Sequence, residues 1–225
     1  MKRKRYLQVA AFFALAVLLC ACGRQDIGEA KAKQIGLDYI NQTFGVNETE
    51  ATVWRNVEEC LPDQEGALVT GDPDVATRVV YYIRVARNET QPLYEAYIIG
   101  STGKPFYISQ GEINIVLTDA QKEQANELFA QERSWGERHR TAATELKAAG
   151  VQWITEHIAP QTPVVLATRA EDGIAADNPV TVTFTDSNYI VLKDGTVYQL
   201  RMQWPSMQVL SLFVWNENET GLRQR

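Results

Sequence analysis

Histidines and cysteines are the side chains that most often act as nucleophiles, proton carriers and soft metal ligands, and this chain has few of them. Its 225 residues include two histidines, His139 and His157, which stand eighteen positions apart. There is no His-Glu-x-x-His motif, no Cys/His pair at zinc spacing and no Gly-x-Ser-x-Gly motif. His139 lies between two arginines, which favours a solvated helix face, whereas the pattern around His157 favours a core edge or a helix end. We therefore expect no catalytic residue, no resident metal and no cofactor, and the chain is not predicted to be an enzyme.

Two loops carry residue types that bind phosphate or calcium in other proteins. The run Gly100-Ser-Thr-Gly-Lys104 contains glycines and a lysine, but Pro105 stands where a phosphate loop needs Ser or Thr. Glu171-Asp172 and Asp177-Asn178 offer oxygen ligands without the spacing of an EF-hand. Turn formation accounts for both loops.

The first residues of the chain are typical of a secretory signal peptide. Four cations at positions 2–5 precede an apolar run from Tyr6 to Ala21, and residues 1–21 contain no acidic side chain. As a helix this run would be about 24 Å long, which is shorter than the ~30 Å hydrocarbon core of a bilayer. The alternatives are an uncleaved N-terminal anchor and a buried core helix.

The end of this segment carries a more specific pattern. Leu19, two small residues and Cys22 resemble the bacterial lipobox. The resemblance implies cleavage between Ala21 and Cys22 and a diacylglycerol on the Cys22 thiol, because the thioether can form only on sulfur. We expect residues 1–21 to be a lipoprotein signal peptide and residues 22–27 a lipidated tether. The protein would then lie on the extracytoplasmic face of the cell membrane, held there by lipid.

The remaining cysteine has no partner for a disulfide under this interpretation. Cys20 leaves with the signal peptide and Cys22 is acylated, so Cys60 is the single free thiol. The preceding Glu58-Glu59 pair would raise the pKa of that thiol, which is the wrong direction for a nucleophile. Cys60 is predicted to be a small, half-buried packing residue.

The charge balance excludes one large class of partner. The chain has 22 basic and 28 acidic residues, and without residues 1–21 the balance is 18 to 28, a net charge near −10. Nucleic-acid binding rests on Lys and Arg neutralising the phosphate backbone. We therefore expect no nucleic-acid partner.

Hydrophobic periodicity predicts an α+β fold in which a helix precedes antiparallel strands twice. A helix over 28–46 is followed by an alternating strand over 78–87, and a hairpin joins 93–99 to 106–109. After a capping box formed by Thr118 and Gln121, helical residues continue to Pro160, and further strands end near Trp215. These patterns predict two units in tandem, 28–116 and 117–217, and a polar tail over 218–225.

The first unit resembles a known family. Ala32, Ile35, Gly36 and Leu37 are similar to the opening helix of PepSY-type domains, and the tract from Leu93 to Lys104 is similar to their Tyr-rich strand and Thr-Gly turn. The resemblance covers about residues 28–109. It departs from the family at Gly36, where Ala is usual, and in the long loop 61–77. The second unit has the same element order without these motifs, as a diverged copy or another cystatin-like module would.

The resemblance implies an extracytoplasmic, non-catalytic module that binds or restrains a secreted peptidase or a cell-wall protein. Three aromatic residues near the C-terminus, Tyr198, Trp204 and Trp215, are candidates for the partner surface, with core packing as the alternative. Two other functions stay open: a hydrolase of cell-wall material that uses paired carboxylates, and a purely structural envelope protein.

Overall fold

A computed structural model describes residues 26–70, 75–88, 91–111, 114–131, 134–170, 176–178 and 183–215. The predicted signal peptide, Cys22 and the tail 218–225 lie outside the described residues. Within the described ranges, no helix is both long and apolar enough to cross a membrane.

The described residues form three α-helices and ten strands. The helices are α1 (Glu29–Phe44), α2 (Asp119–Gln131) and α3 (Trp135–Trp153), and α3 continues into a π-helical turn over Ile154–Ile158. The strands of the first half are β1 (Thr52–Cys60), β2 (Leu68–Val69), β3 (Ala76–Asn88), β4 (Gln91–Ile99) and β5 (Pro105–Gln110). Those of the second half are β6 (Val164–Arg169), β7 (Ala176–Asn178), β8 (Thr183–Leu192), β9 (Val197–Trp204) and β10 (Gln208–Trp215).

All ten strands belong to one antiparallel sheet. Its order is β1-β3-β4-β5-β10-β9-β8-β6, with the short strands β2 and β7 paired to β3 and β8. The two halves join where β5 pairs with β10, with Ile108 opposite Leu212. The predicted α+β class is confirmed, and the two halves share a single sheet.

Helix α1 ends at Phe44, within two residues of the predicted boundary. Gly45 adopts the left-handed conformation with φ of 66°, and its N–H donates to the Asn41 carbonyl oxygen. The buried face of α1 contains Ala32, Leu37 and Ile40. The same face contains Gly36, where a Cβ atom would lie 2.7 Å from Cγ1 of Ile83 on β3. The glycine at this position therefore permits close packing of the helix on the sheet.

A second helix start was not predicted. Thr118 and Gln121 form the expected capping box before α2. The helical run then breaks, and Ser134 and Glu137 form another capping box that opens α3. The polar stretch between 120 and 140 therefore belongs to two helices.

The apolar core lies on one face of the sheet, beneath the helices. Buried residues of α1 and α3 belong to the same cluster as inward-facing residues of both halves of the sheet, among them Ile83, Ile108 and Leu200. We call this side the helix face. A second, smaller cluster around Val80, Ile99 and Phe106 lies on the opposite side, where no helix of the described residues packs. We call that side the open face.

Candidate functional site

Five aromatic side chains lie in register across five adjacent strands on the open face. Trp54 is paired with Tyr82, Tyr82 with Tyr97, Tyr97 with Tyr107, and Tyr107 with Phe213. We call these residues the aromatic row. With strands about 4.8 Å apart, the row is about 19 Å long. It crosses the junction between the two halves of the chain.

From Tyr82 to Phe213, the rings of the row contact one another in sequence. The Tyr82 and Tyr97 centroids are 4.5 Å apart with an edge-on geometry, and the Tyr97 and Tyr107 centroids are also 4.5 Å apart. Tyr107 and Phe213 are 6.0 Å apart, and Trp215 extends the array at 4.4 Å from Phe213. Such pairs stabilise a sheet by about 0.5–1.5 kcal/mol each beyond the burial of their area.

Charged groups hold the exposed end of the row in place. Trp54 keeps 45% of its surface exposed, and the Arg84 guanidinium lies over its ring, 5.2 Å from the centroid. Arg84 also forms a 2.7 Å ion pair with Glu95. Burial, together with the negative charge of Glu95, raises the pKa of Tyr97 to about 12, so this hydroxyl stays protonated at neutral pH. The Tyr82 hydroxyl is already engaged, since it donates to the Glu58 carboxylate, so the row offers mainly its aromatic rings to a partner.

Three hollows indent the open face beside the row. The one at the β1 edge has a volume of about 330 Å³ and is lined by Trp54, Tyr82 and Tyr97. A second, of about 390 Å³, is lined by Trp215 and by the charged side chains of the neighbouring turns. The third, of about 230 Å³, is lined by Tyr107 and Arg201. Aromatic rings beside shallow hollows suit the capture of side chains from a bound polypeptide.

The three aromatic residues predicted for a partner surface do not share a surface. Trp204 is 1% exposed beneath α3, where its indole N–H donates to Glu145 Oε2 at 2.7 Å. Tyr198 packs against the core on the helix face, and burial raises the pKa of its hydroxyl. Trp215 lies on the open face and donates to Gln199 Oε1 at 2.9 Å. The structure thus places one of the three beside the aromatic row.

The prediction of a solvated His139 is wrong. Its side chain is buried under α3, and its Nε2 lies 3.8 Å from Oδ2 of Asp186 on β8. Asp186 is 1% exposed, and its Oδ1 accepts a 3.0 Å hydrogen bond from Arg169. Burial and the positive charge of Arg169, partly opposed by Asp186, lower the pKa of His139. The flanking arginines suggested solvent because they are adjacent in sequence, yet a helix turns each neighbour by about 100°.

The other two residues weighed for chemistry fit structural roles. His157 is exposed, with its Nδ1 3.0 Å from the Trp153 carbonyl oxygen and its ring stacked on Trp153. Cys60, at the end of β1, is half-buried and forms no disulfide within the described residues. In the described ranges, no group of three or more His, Cys, Asp or Glu side chains is placed to hold a metal ion.

The members of the aromatic row were missed in the sequence because they are far apart along the chain. One signal was available for Tyr82, since the alternation of β3 that places Tyr81 and Ile83 on the helix face places Tyr82 on the other. A second was the separation of Tyr94 from Tyr97, since residues three apart on a strand lie on opposite faces. Tyr94 indeed stacks on Phe44 of α1, and Tyr97 lies in the row.

Comparison with known proteins finds one similar solved structure and no matching sequence family. No known protein family and no curated protein matches the sequence. Among solved structures, the Bacillus megaterium YpeB C-terminal domain aligns over 89% of this chain and 67% of its own, with 11% identity and a TM-score of 0.39. A likeness at this level carries no argument about family or function.

Proposed function

We propose that this protein is a lipid-anchored extracytoplasmic module that binds another protein through its open face and catalyses no reaction. The observation that carries the proposal is the aromatic row, which spans five strands on a sheet face that the described helices leave open. Aromatic side chains dominate protein-binding hot spots because they bury a large area at low entropic cost. The partner class is a secreted peptidase or a cell-wall protein, as the PepSY resemblance implies.

We also infer that each half of the chain is a helix-plus-sheet unit of PepSY or cystatin type. Helix α1 packs on β3 and β4 of its own half, and α3 packs on β8 and β9 of its own half. The two motifs of the PepSY resemblance meet in space: a Cβ atom on Gly103 of the Thr-Gly turn would lie 3.2 Å from Cδ1 of Ile35. Gly103 has φ of 74°, which glycine adopts without strain.

Mass spectrometry of the full chain expressed in bacteria tests the anchor. We expect a mature protein that begins at Cys22 and carries diacylglycerol on that sulfur. Cys22→Ala should leave the precursor unprocessed and without lipid, whereas Cys60→Ser should be processed normally. A mature N-terminus elsewhere, or one without lipid, would contradict the membrane anchor.

Affinity capture from bacterial envelopes tests the binding surface. A variant with Tyr97→Ser and Phe213→Ser should lose most of the captured protein. The matched control is Leu166→Ser on β6, which removes a 42% exposed apolar side chain at the other edge of the sheet. Equal capture by the row variant and the control would contradict a role for the open face. Hydrolysis of wall material by the purified protein would favour the hydrolase alternative instead.

A further inference from the structure

A cluster of hydrogen bonds fixes the first described residues, Asp26 and Ile27, to the sheet. We call this cluster the entry latch. The Asp26 carboxylate accepts hydrogen bonds from the Gly28 N–H at 3.1 Å, Arg55 Nε at 3.0 Å and the Tyr81 hydroxyl at 2.6 Å. The next residue, Ile27, donates its N–H to the Gly100 carbonyl oxygen at 2.8 Å. Two residues of the predicted tether 22–27 are therefore part of the folded domain.

This latch leaves little free chain between the proposed lipid and the domain. Asp26 follows Cys22 by four positions, and four fully extended residues reach at most about 14 Å. A lipid on Cys22 would thus hold the latch within about 14 Å of the membrane surface. This step rests on the lipid anchor proposed above.

The latch lies directly behind the first two members of the aromatic row. On β1, Arg55 of the latch is next to Trp54 of the row, and on β3, Tyr81 of the latch is next to Tyr82 of the row. Neighbouring residues of a strand point to opposite faces of the sheet. The latch is on the helix face and the row is on the open face at the same level of the sheet. The distance from the lipidated sulfur to the start of the row is therefore about 30 Å at most, counting the extended tether and the latch side chains.

Charged side chains of both signs are exposed at this end of the domain, among them Lys31 at the start of α1 and Lys193 in the turn between β8 and β9. The loop after β1 exposes Asp63, and Glu59 at the end of β1 is exposed as well. Lys104 of the β4–β5 turn is already paired with Glu65 at 2.8 Å. Because acidic and basic side chains are mixed here, the tether length rather than electrostatic attraction limits the distance of the domain from the membrane.

We propose that the entry latch fixes the domain with its β4–β5 turn toward the bilayer, so that the open face binds a membrane-proximal segment of a protein held in the same membrane. A partner free in the surrounding medium needs no such short tether. A partner in the same membrane gains effective concentration from it, because both binding sites are confined to one thin layer.

Energy transfer from two labelled sites to the headgroups of phosphatidylcholine vesicles tests the orientation. In a Cys60→Ser background, a donor is attached at Thr102→Cys in the turn or at Gln208→Cys at the start of β10. Both positions are exposed, and they lie about 25 Å apart along the strands. The acylated protein should transfer more energy from position 102 than from position 208. Equal energy transfer from positions 102 and 208 of the acylated protein would contradict the orientation but not the lipid anchor. Absence of the acyl group would contradict both.

A longer tether tests the partner. A 30-residue Gly/Ser insert between Gln25 and Asp26 has a root-mean-square reach of about 30 Å and should abolish the difference between the two labels. Crosslinking from the row to its partner in cells should fall on the order of tenfold, because effective concentration declines with the −3/2 power of tether length. The same insert placed after Arg225 is the matched control and should leave the yield unchanged. An unchanged yield with the N-terminal insert would show that the partner is not confined to the membrane.

Discussion

Tyr82 and Tyr97 lie opposite each other on β3 and β4, with ring centroids 4.5 Å apart and ring planes at 79°. This edge-on contact is on the open face, in the centre of the first half of the sheet. It joins the exposed Trp54 to the rings that continue across the β5–β10 junction. The contact therefore serves both the stability of the sheet and the shape of the proposed binding surface.

A double-mutant cycle on this pair should reveal a direct coupling. Tyr82→Leu and Tyr97→Leu, singly and together, should give a coupling energy of about 0.5–1.5 kcal/mol, because each substitution removes the same ring contact. Urea unfolding followed by fluorescence measures it. The control cycle pairs Tyr82→Leu with Trp215→Leu, two rings without mutual contact, and should be additive. Additivity in both cycles would mean that the row is a set of independent rings.

Two glycines in helices should respond in opposite ways to alanine. Gly36→Ala on α1 should destabilise the protein by about 1–3 kcal/mol, because the new Cβ meets Ile83 at 2.7 Å. Gly136→Ala at the start of α3 meets no atom within 4 Å and should stabilise by up to about 1 kcal/mol through helix propensity. Thermal and urea unfolding of both variants test this. A stabilising Gly36→Ala would contradict the close packing of α1 on β3.

The buried indole of Trp204 should depend on its acceptor. Glu145→Ala leaves the Trp204 N–H without the partner it has at 2.7 Å and should cost about 1–3 kcal/mol. Glu145→Gln keeps an acceptor oxygen and should cost less. In a Trp204→Phe background, Glu145→Ala should have a smaller effect, because no donor is left to satisfy. If Glu145→Ala lowers the free energy of unfolding equally in the wild-type and Trp204→Phe backgrounds, its effect does not arise from the hydrogen bond to the indole.

Stability should fall in mild acid through His139. Its pKa in the folded protein is lowered, mainly by burial and then by Arg169, so the unfolded chain binds the proton more readily. The contribution of the neutral imidazole is complete above the unfolded pKa of about 6.5 and is lost as the pH falls below it toward the folded pKa. The free energy of unfolding should therefore decrease between pH 7.5 and 5.5, and His139→Gln should reduce that decrease. Identical pH slopes for the two proteins would rule out this role for His139.

Patterns within a single element predicted much of the fold. The end of α1 at Gly45 and the Thr118–Gln121 capping box follow from local chemistry. Tyr198 and Trp204 are six positions apart on β9, so the alternation of a strand places them on one side, and that side is the helix face. The same alternation therefore argued against a surface role for these two residues.

The pairing and register of strands that are distant in the sequence could not be predicted. Tyr107 and Phe213 are more than a hundred residues apart, and their pairing depends on β10 docking beside β5. Nothing within either strand specifies that neighbour, since several antiparallel partners would satisfy the same alternation. The break at Ser134 was missed for a different reason, because a short capping sequence inside a polar helix leaves the hydrophobic period almost unchanged.

Photo-crosslinking on intact cells tests the central claim most directly. A photoreactive phenylalanine analogue placed at Tyr97 keeps an aromatic ring in the row, and the same analogue at the exposed Glu127 of α2 probes the helix face. We predict a protein adduct of defined mass from position 97 and little or none from position 127. Equal adducts from both positions, or an adduct from position 127 alone, would contradict binding through the open face.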